Sequence, residues 1–279
     1  MIMTKKKQLL AHHIPQTGKS LTKFSGKEFI ERIGNEAILE VVSSVLCGGN
    51  VRTLTEGLTQ RRILLSNASL LITYLKGMNT FKNFEKNIHH IIAEEIVREK
   101  HTPEEKIFLQ WFMGITGKSM QNVMRSNPEA LTEYLNELSG RLKEAVTILT
   151  KEFGELHTHI TIAQDNFLLG WPSLLNIFYG IGAQTLSIRG SEKSMYGKTF
   201  EKLILGSLLS ILGFSLIDPQ KSRRTRKVFW LSQRQNKRES DATLLVKAGV
   251  GARFDLGFIG PGNTEISLDK VSRFEREME

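Results

Sequence analysis

The chain has 279 residues, 40% of them hydrophobic and 24% charged, with a formal net charge of +9, enough for one large or two medium globular domains with cores of their own. Its single cysteine, Cys47, excludes an intramolecular disulfide and a cysteine-based zinc cluster, and it points to a reducing, cytoplasmic setting.

The first residues, MIMTKKKQLLAHHIPQTGKS, carry lysines but no apolar stretch of signal-peptide length, so secretion is not expected. From Ser20 to about Lys151 the apolar residues recur at three and four, as in FIERIGNEAILEVVSSVL and ALTEYLNELSGRLKEAVTILTKEF, which predicts helices. Ser25-Gly26-Lys27-Glu28 and Thr102-Pro103-Glu104-Glu105 read as helix starts, each a cap residue followed by proline or acids in the first turn. Gly48-Gly49 and Gly114 break the pattern into a compact bundle. Gly114-Ile115-Thr116-Gly117-Lys118-Ser119 ends like a nucleotide-binding loop, yet Phe112 stands where the first glycine belongs, so nucleotide hydrolysis is rejected there. Cys47 reads as a small buried hydrophobe. The histidine pairs His12-His13, His89-His90 and His157/His159 lack metal-ligand spacing and read as surface or core residues.

Near residue 155 the pattern changes. HTHITI, FSLI, KVFWLS and ATLLVKAG are strand signals, and Gly249-x-Gly251 reads as a turn between strands. The expected organisation is a helical region over 1–155 and a mixed sheet region over 156–279. The uncharged run Leu203 to Ile217 is interrupted by glycines and serines and is shorter than the roughly 20 residues that span a bilayer, so no membrane helix is expected there. In TFEKLILGSLLSIL, from Thr199 to Leu212, Glu201 shares a helical stripe with Ile204, Leu205, Leu208 and Leu212. Two readings stay open: a carboxylate on the packing stripe that needs a partner or a metal, or an exposed first-turn acid favoured by the helix dipole.

The basic segment KSRRTRKVFWLSQRQNKR holds Lys221, Arg223, Arg224, Arg226, Lys227, Arg234, Lys237 and Arg238 with no acid among them. Such a patch releases counterions from a polyanion, which fits nucleic acid, although a solvated loop has the same composition. Phe229 and Trp230 inside it read as a strand anchoring the basic residues, with base stacking as the other reading.

Next comes RFDLGFIGPGNTEISLDK, residues 253 to 270. Gly260-Pro261-Gly262-Asn263 are turn formers, and the flanking runs predict a hairpin with Asp255 facing Glu265 and with Lys270 just beyond. Two carboxylates so close repel unless a cation lies between them, and oxygen-only ligation favours Mg²⁺ over zinc. Solvated hairpin residues on an ordinary sheet edge are the plain alternative.

A helix with an inward Glu, then strands bearing an Asp and a further acid near a Lys, resembles the PD-(D/E)XK nuclease superfamily. Within it, RESDATLLVKAGVGARFDLGFIGPGNTEISLDKVSRF is similar to type II restriction endonucleases of the CfrBI-like group, most sharply over residues 196 to 276. The resemblance implies an α/β or α+β chain in which a helical N-terminal region precedes a restriction-endonuclease-like mixed sheet. Asp255 matches the motif's first acid, with Phe254 in the proline's place, and Glu265 matches the second. Ser267 occupies the lysine's position, so Lys270 supplies the cation. Asp241 is the rival first acid, Asp269 the rival second, and Glu201 a further metal ligand. The implied chemistry is Mg²⁺-assisted attack of water on a duplex-DNA phosphodiester by a homodimer, with Asp255, Glu265 and Lys270 as catalytic residues. Nine residues, Val271 to Glu279, follow Lys270, so the expectation is a core shortened at its C-terminus. The alternative function is a non-catalytic or truncated DNA-binding relative or subunit of a restriction system.

Overall fold

The computed structural model describes residues 8–23, 28, 31, 34–49, 51–116, 128–231 and 241–254. Two compact units make up the chain, one of Met1–Ser25 with Thr55–Ser191 and the other of Gly26–Leu54 with Glu192–Glu279. The architecture is mixed. Described residues up to Phe153 form helices and turns, and the first strand begins at Thr158.

The first unit is built from α1 (Gln16–Thr22), most of α3 (Val51–Thr80), α4 (Phe84–Arg98), α5 (Pro103–Phe112), α6 (Pro128–Phe153), the hairpin β1 (Thr158–Ile162) and β2 (Asp165–Leu169), and the first half of α7 (Trp171–Ile211). Its core joins Leu70, Tyr74 and Leu75 of α3, Ile88 and Ile92 of α4, and Phe108, Trp111 and Phe112 of α5 to Phe167 and Leu169 of β2. Full burial of each such side chain contributes about 1.5–3 kcal/mol before chain entropy is subtracted. Gly18 shows how tight the packing is, since a Cβ there would lie 2.7 Å from Ser69 Cβ and 2.9 Å from a Phe108 ring atom.

The helix start read at Thr102 forms in full. Thr102 Oγ1 accepts from the Glu105 N–H at 3.2 Å and Glu105 Oε2 accepts from the Thr102 N–H at 3.0 Å, with Pro103 as the first helical residue. Thr102→Ala is expected to lower stability by about 1 kcal/mol, read as a shift of the denaturant midpoint with unchanged slope. Ser25-Gly26-Lys27, by contrast, lie outside the described residues. Further along the same unit, the buried Glu95 carboxylate accepts the N–H groups of Leu10 (2.7 Å) and Ala11 (2.9 Å), fixing the short 3-10 turn Leu10–His13 against α4.

His89 is a core histidine. Burial pushes its pKa down to about 4, against a smaller opposing pull from its bond to the Phe112 backbone, and its Nε2 has no hydrogen-bond partner among the described residues. The unfolded chain protonates this ring near pH 6.5, so it takes up the proton before the folded state does. The associated stability is complete above pH ~6.5 and falls by up to about 1.4 kcal/mol per unit as the pH drops toward 4. Thermal melts at pH 7, 6 and 5 are expected to show this loss, and His89→Leu is expected to flatten it.

The second unit contains α2 (Asn35–Leu46), the second half of α7, and a sheet of β3 (Ser215–Leu216), β4 (Val228–Leu231), β5 (Ala242–Lys247) and β6 (Val250–Phe254) in the order β3-β4-β5-β6. α2 buries Ile38, Val41 and Val42 on one face. It ends at Gly48, whose φ of 91° lies in the left-handed region that glycine tolerates. Cys47 beside it is exposed, which corrects the reading of a buried hydrophobe: it caps the helix and so faces outward at the turn.

β3 runs parallel to β4, and β4-β5-β6 is an antiparallel meander with Phe229 opposite Leu244 and Ala242 opposite Phe254. A two-residue turn joins β5 to β6 with Gly249 at φ 74°, as the glycine pair suggested. Leu205 and Leu209 of α7 pack with Phe229, Ala242 and Leu244 of the sheet.

Candidate functional site

The α7 stripe that meets the sheet carries Leu205 and Leu209, whereas Leu208 and Leu212 are 41% and 62% exposed. Ile204 and Leu205 of the expected stripe are buried, and Leu209 rather than Leu208 continues it toward the sheet. TFEKLILGSLLSIL is apolar on nearly every side, so its spacing alone fits either face. Glu201 precedes Leu205 by one helical turn and is half-buried. It stands deep inside a helix that begins at Trp171, which removes the reading of an exposed first-turn acid.

Asp241 immediately precedes β5 and is 1% exposed. Its neighbour Ala242 belongs to the same small core as Leu205 and pairs with Phe254. Glu201 and Asp241 thus sit on two elements that share one core. Burying a carboxylate so completely is unfavourable unless hydrogen bonds or a cation compensate it. Both residues are engaged in interactions within the protein.

Asp255, Glu265 and Lys270, with Ser267 and Asp269, lie outside the described residues, as do Arg234, Lys237 and Arg238. Among the described residues no group of three or more His, Cys, Asp or Glu side chains is arranged to hold a metal ion.

The described half of the basic segment forms the connection from β3 to β4. Asp218 organises its first turn: Oδ1 accepts the Gln220 N–H at 3.0 Å, and the carbonyl accepts the N–H groups of Lys221 (3.1 Å) and Ser222 (2.9 Å). At the far end the Lys227 N–H donates to Val246 O at 3.1 Å, and Lys227 O accepts from the Ser215 N–H at 2.9 Å. Lys221, Arg223, Arg224, Arg226 and Lys227 are all exposed, with Lys221 3.5 Å from Asp218. Phe229, 1% exposed, is the core anchor of β4, so the stacking reading does not apply to it. The result is a cationic strap held at both ends by the sheet, a form suited to contacts with phosphates.

α5 runs to Phe112, and Gly117, Lys118 and Ser119 lie outside the described residues. His157 and His159 are exposed, and His13 Nε2 lies 2.9 Å from Thr80 Oγ1. The sequence reading missed β2 entirely. Its signal was a two-residue break, Ala163-Gln164, between the alternating HTHITI and DNFLL.

A type II restriction enzyme, CfrBI of Citrobacter freundii, is 37% identical over 257 residues, covering 92% of this chain and 70% of the relative. No solved structure gives a significant match. No helix among the described residues is long and apolar enough to cross a membrane. Residues 35–278, which include α2 to α7, the cationic strap and the acidic residues Asp255 and Glu265, match the model of the CfrBI restriction endonuclease family, and the chain belongs to that family.

Proposed function

We propose that the chain is a type II restriction endonuclease that hydrolyses phosphodiester bonds of duplex DNA at a specific sequence with Mg²⁺ as cofactor. The carrying observation is the 37% identity to a type II restriction enzyme across 92% of the chain. The strap from Lys221 to Lys227, exposed and anchored at both ends, supports the choice of substrate.

The catalytic centre is drawn from the sheet region over 156–279, read as a PD-(D/E)XK-like core. Asp255 directly follows Phe254 in the sequence, and Phe254 pairs with Ala242, the chain neighbour of the buried Asp241. Asp255 and Glu265 hold the metal, with Glu201 and Asp241 as further carboxylate donors; oxygen-only donors suit a hard ion. Bound Mg²⁺ supplies charge stabilisation at the scissile phosphate and a more acidic water. Lys270 orients the attacking water or stabilises the negative charge that builds on the phosphoryl oxygens. The strap sets the register on the DNA backbone, with Arg234, Lys237 and Arg238 as further phosphate-binding residues. Two copies of the chain act on a palindromic site, in the cytoplasm.

The test is incubation of supercoiled plasmid with the protein in Mg²⁺ and in EDTA. Discrete linear fragments in Mg²⁺ alone are expected. Salt-sensitive binding with no cleavage in either buffer would establish the alternative, a non-catalytic DNA-binding relative.

A further inference from the structure

Among the described residues, β1 and β2 form a sheet of their own, an antiparallel ribbon of two strands. One face belongs to the core of the first unit: Phe167 and Leu169 are buried, and Ile160 packs against the same cluster. The other face presents His159, Thr161, Asn166 and Leu168, all exposed, as two cross-strand pairs, His159 with Leu168 and Thr161 with Asn166. Nothing acidic stands among these four. Thr161 Oγ1 donates to Asn166 Oδ1 at 2.6 Å, which orients the amide and leaves its two N–H donors for an outside partner.

The ribbon is fixed at both ends. At its base the Trp171 indole N–H donates to Gly154 O at 2.9 Å, joining the chain that leads into β1 to the chain that leaves β2. At its tip Ala163 turns the chain in the left-handed region, at φ 54°. A two-stranded ribbon is one of the two elements the major groove admits, and side-chain amides, hydroxyls and apolar groups are what its base edges accept: Asn at adenine, Thr or an apolar group at the thymine methyl.

We propose that this face of the ribbon enters the major groove and that His159, Thr161, Asn166 and Leu168 are specificity-determining residues. The proposal rests on the reading of the chain as a sequence-specific nuclease and deepens it. The cationic strap contacts phosphates, which carry no sequence information, so a separate base-reading surface is required.

The experiment treats a randomised duplex library with the protein in Mg²⁺ and sequences the cut ends, for the unaltered chain and for Asn166→Ala, Asn166→Asp and Leu168→Ala. The side chains are exposed, so melting temperatures are expected to stay unchanged. Each variant should lose roughly tenfold or more discrimination at one position of each half-site while the other positions keep theirs. A variant that no longer cuts is read by selecting bound duplexes from the same library without metal, where the same relaxation is expected. If the unaltered chain cuts at one consensus and all three variants show the same preference at every position, the ribbon does not read bases. If the unaltered chain shows no consensus at all, the nuclease reading itself fails and the ribbon proposal falls with it.

Discussion

Asp255→Ala and Glu265→Ala are each expected to lower Mg²⁺-dependent cleavage of duplex DNA about a thousandfold, which corresponds to the several kcal/mol that a metal ion contributes at a phosphoryl centre. Binding to DNA should survive both changes, because neither removes a cation that meets a phosphate. The expectation follows from residue type: two carboxylates are the hard oxygen donors that Mg²⁺ prefers. Lys270→Ala should reduce the rate by roughly a hundredfold through loss of charge stabilisation, whereas Ser267→Ala should leave it unchanged. A larger effect at Ser267 than at Lys270 would reassign the role. If Asp255→Ala and Glu265→Ala both cut as well as the parent, the acidic pair is not the site.

Charge removal from the strap carries the second large effect. Replacing Lys221, Arg223, Arg224, Arg226 and Lys227 by glutamine should weaken DNA binding by orders of magnitude at low salt. The slope of log affinity against log salt should shrink by about 0.9 for each phosphate that the strap no longer neutralises. All five side chains are exposed and the loop is held by backbone bonds at Asp218, Ser215 and Val246, so the fold should be unaffected. Equal slopes for the parent and the substituted chain would show that the strap lies away from DNA.

Much of this was legible in the sequence because local chemistry and tertiary structure agreed. Thr102-Pro103-Glu104-Glu105 specifies its own cap, and the long amphipathic run that became α6 needs no partner to be recognised as a helix. The basic strap stood out because no acid interrupts it. Elements decided by packing were harder to read. α7 begins at Trp171, through a stretch punctuated by Gly180, Gly182 and Gly190, where low helix propensity is overridden by burial of Ile177 and Ala183. The packing face of its second half could not be fixed by a spacing that suits several faces, and the sheet selects Leu205 and Leu209. β2 was hidden by its turn, since Ala163-Gln164 lacks the glycine or asparagine that usually marks a two-residue hairpin. At the site, the acids were readable as types, and the structure adds that Asp241 is buried and that Glu201 lies within a helix interior. Asp255, Glu265 and Lys270 fall outside the described residues.

Site-specific, metal-dependent scission is tested most directly by sequencing the ends of long duplex DNA after digestion with the protein in Mg²⁺. One short recurring sequence, at a constant offset from every cut and absent in EDTA, is the expected result. Ends of random sequence, or cleavage that persists without a divalent ion, would contradict it.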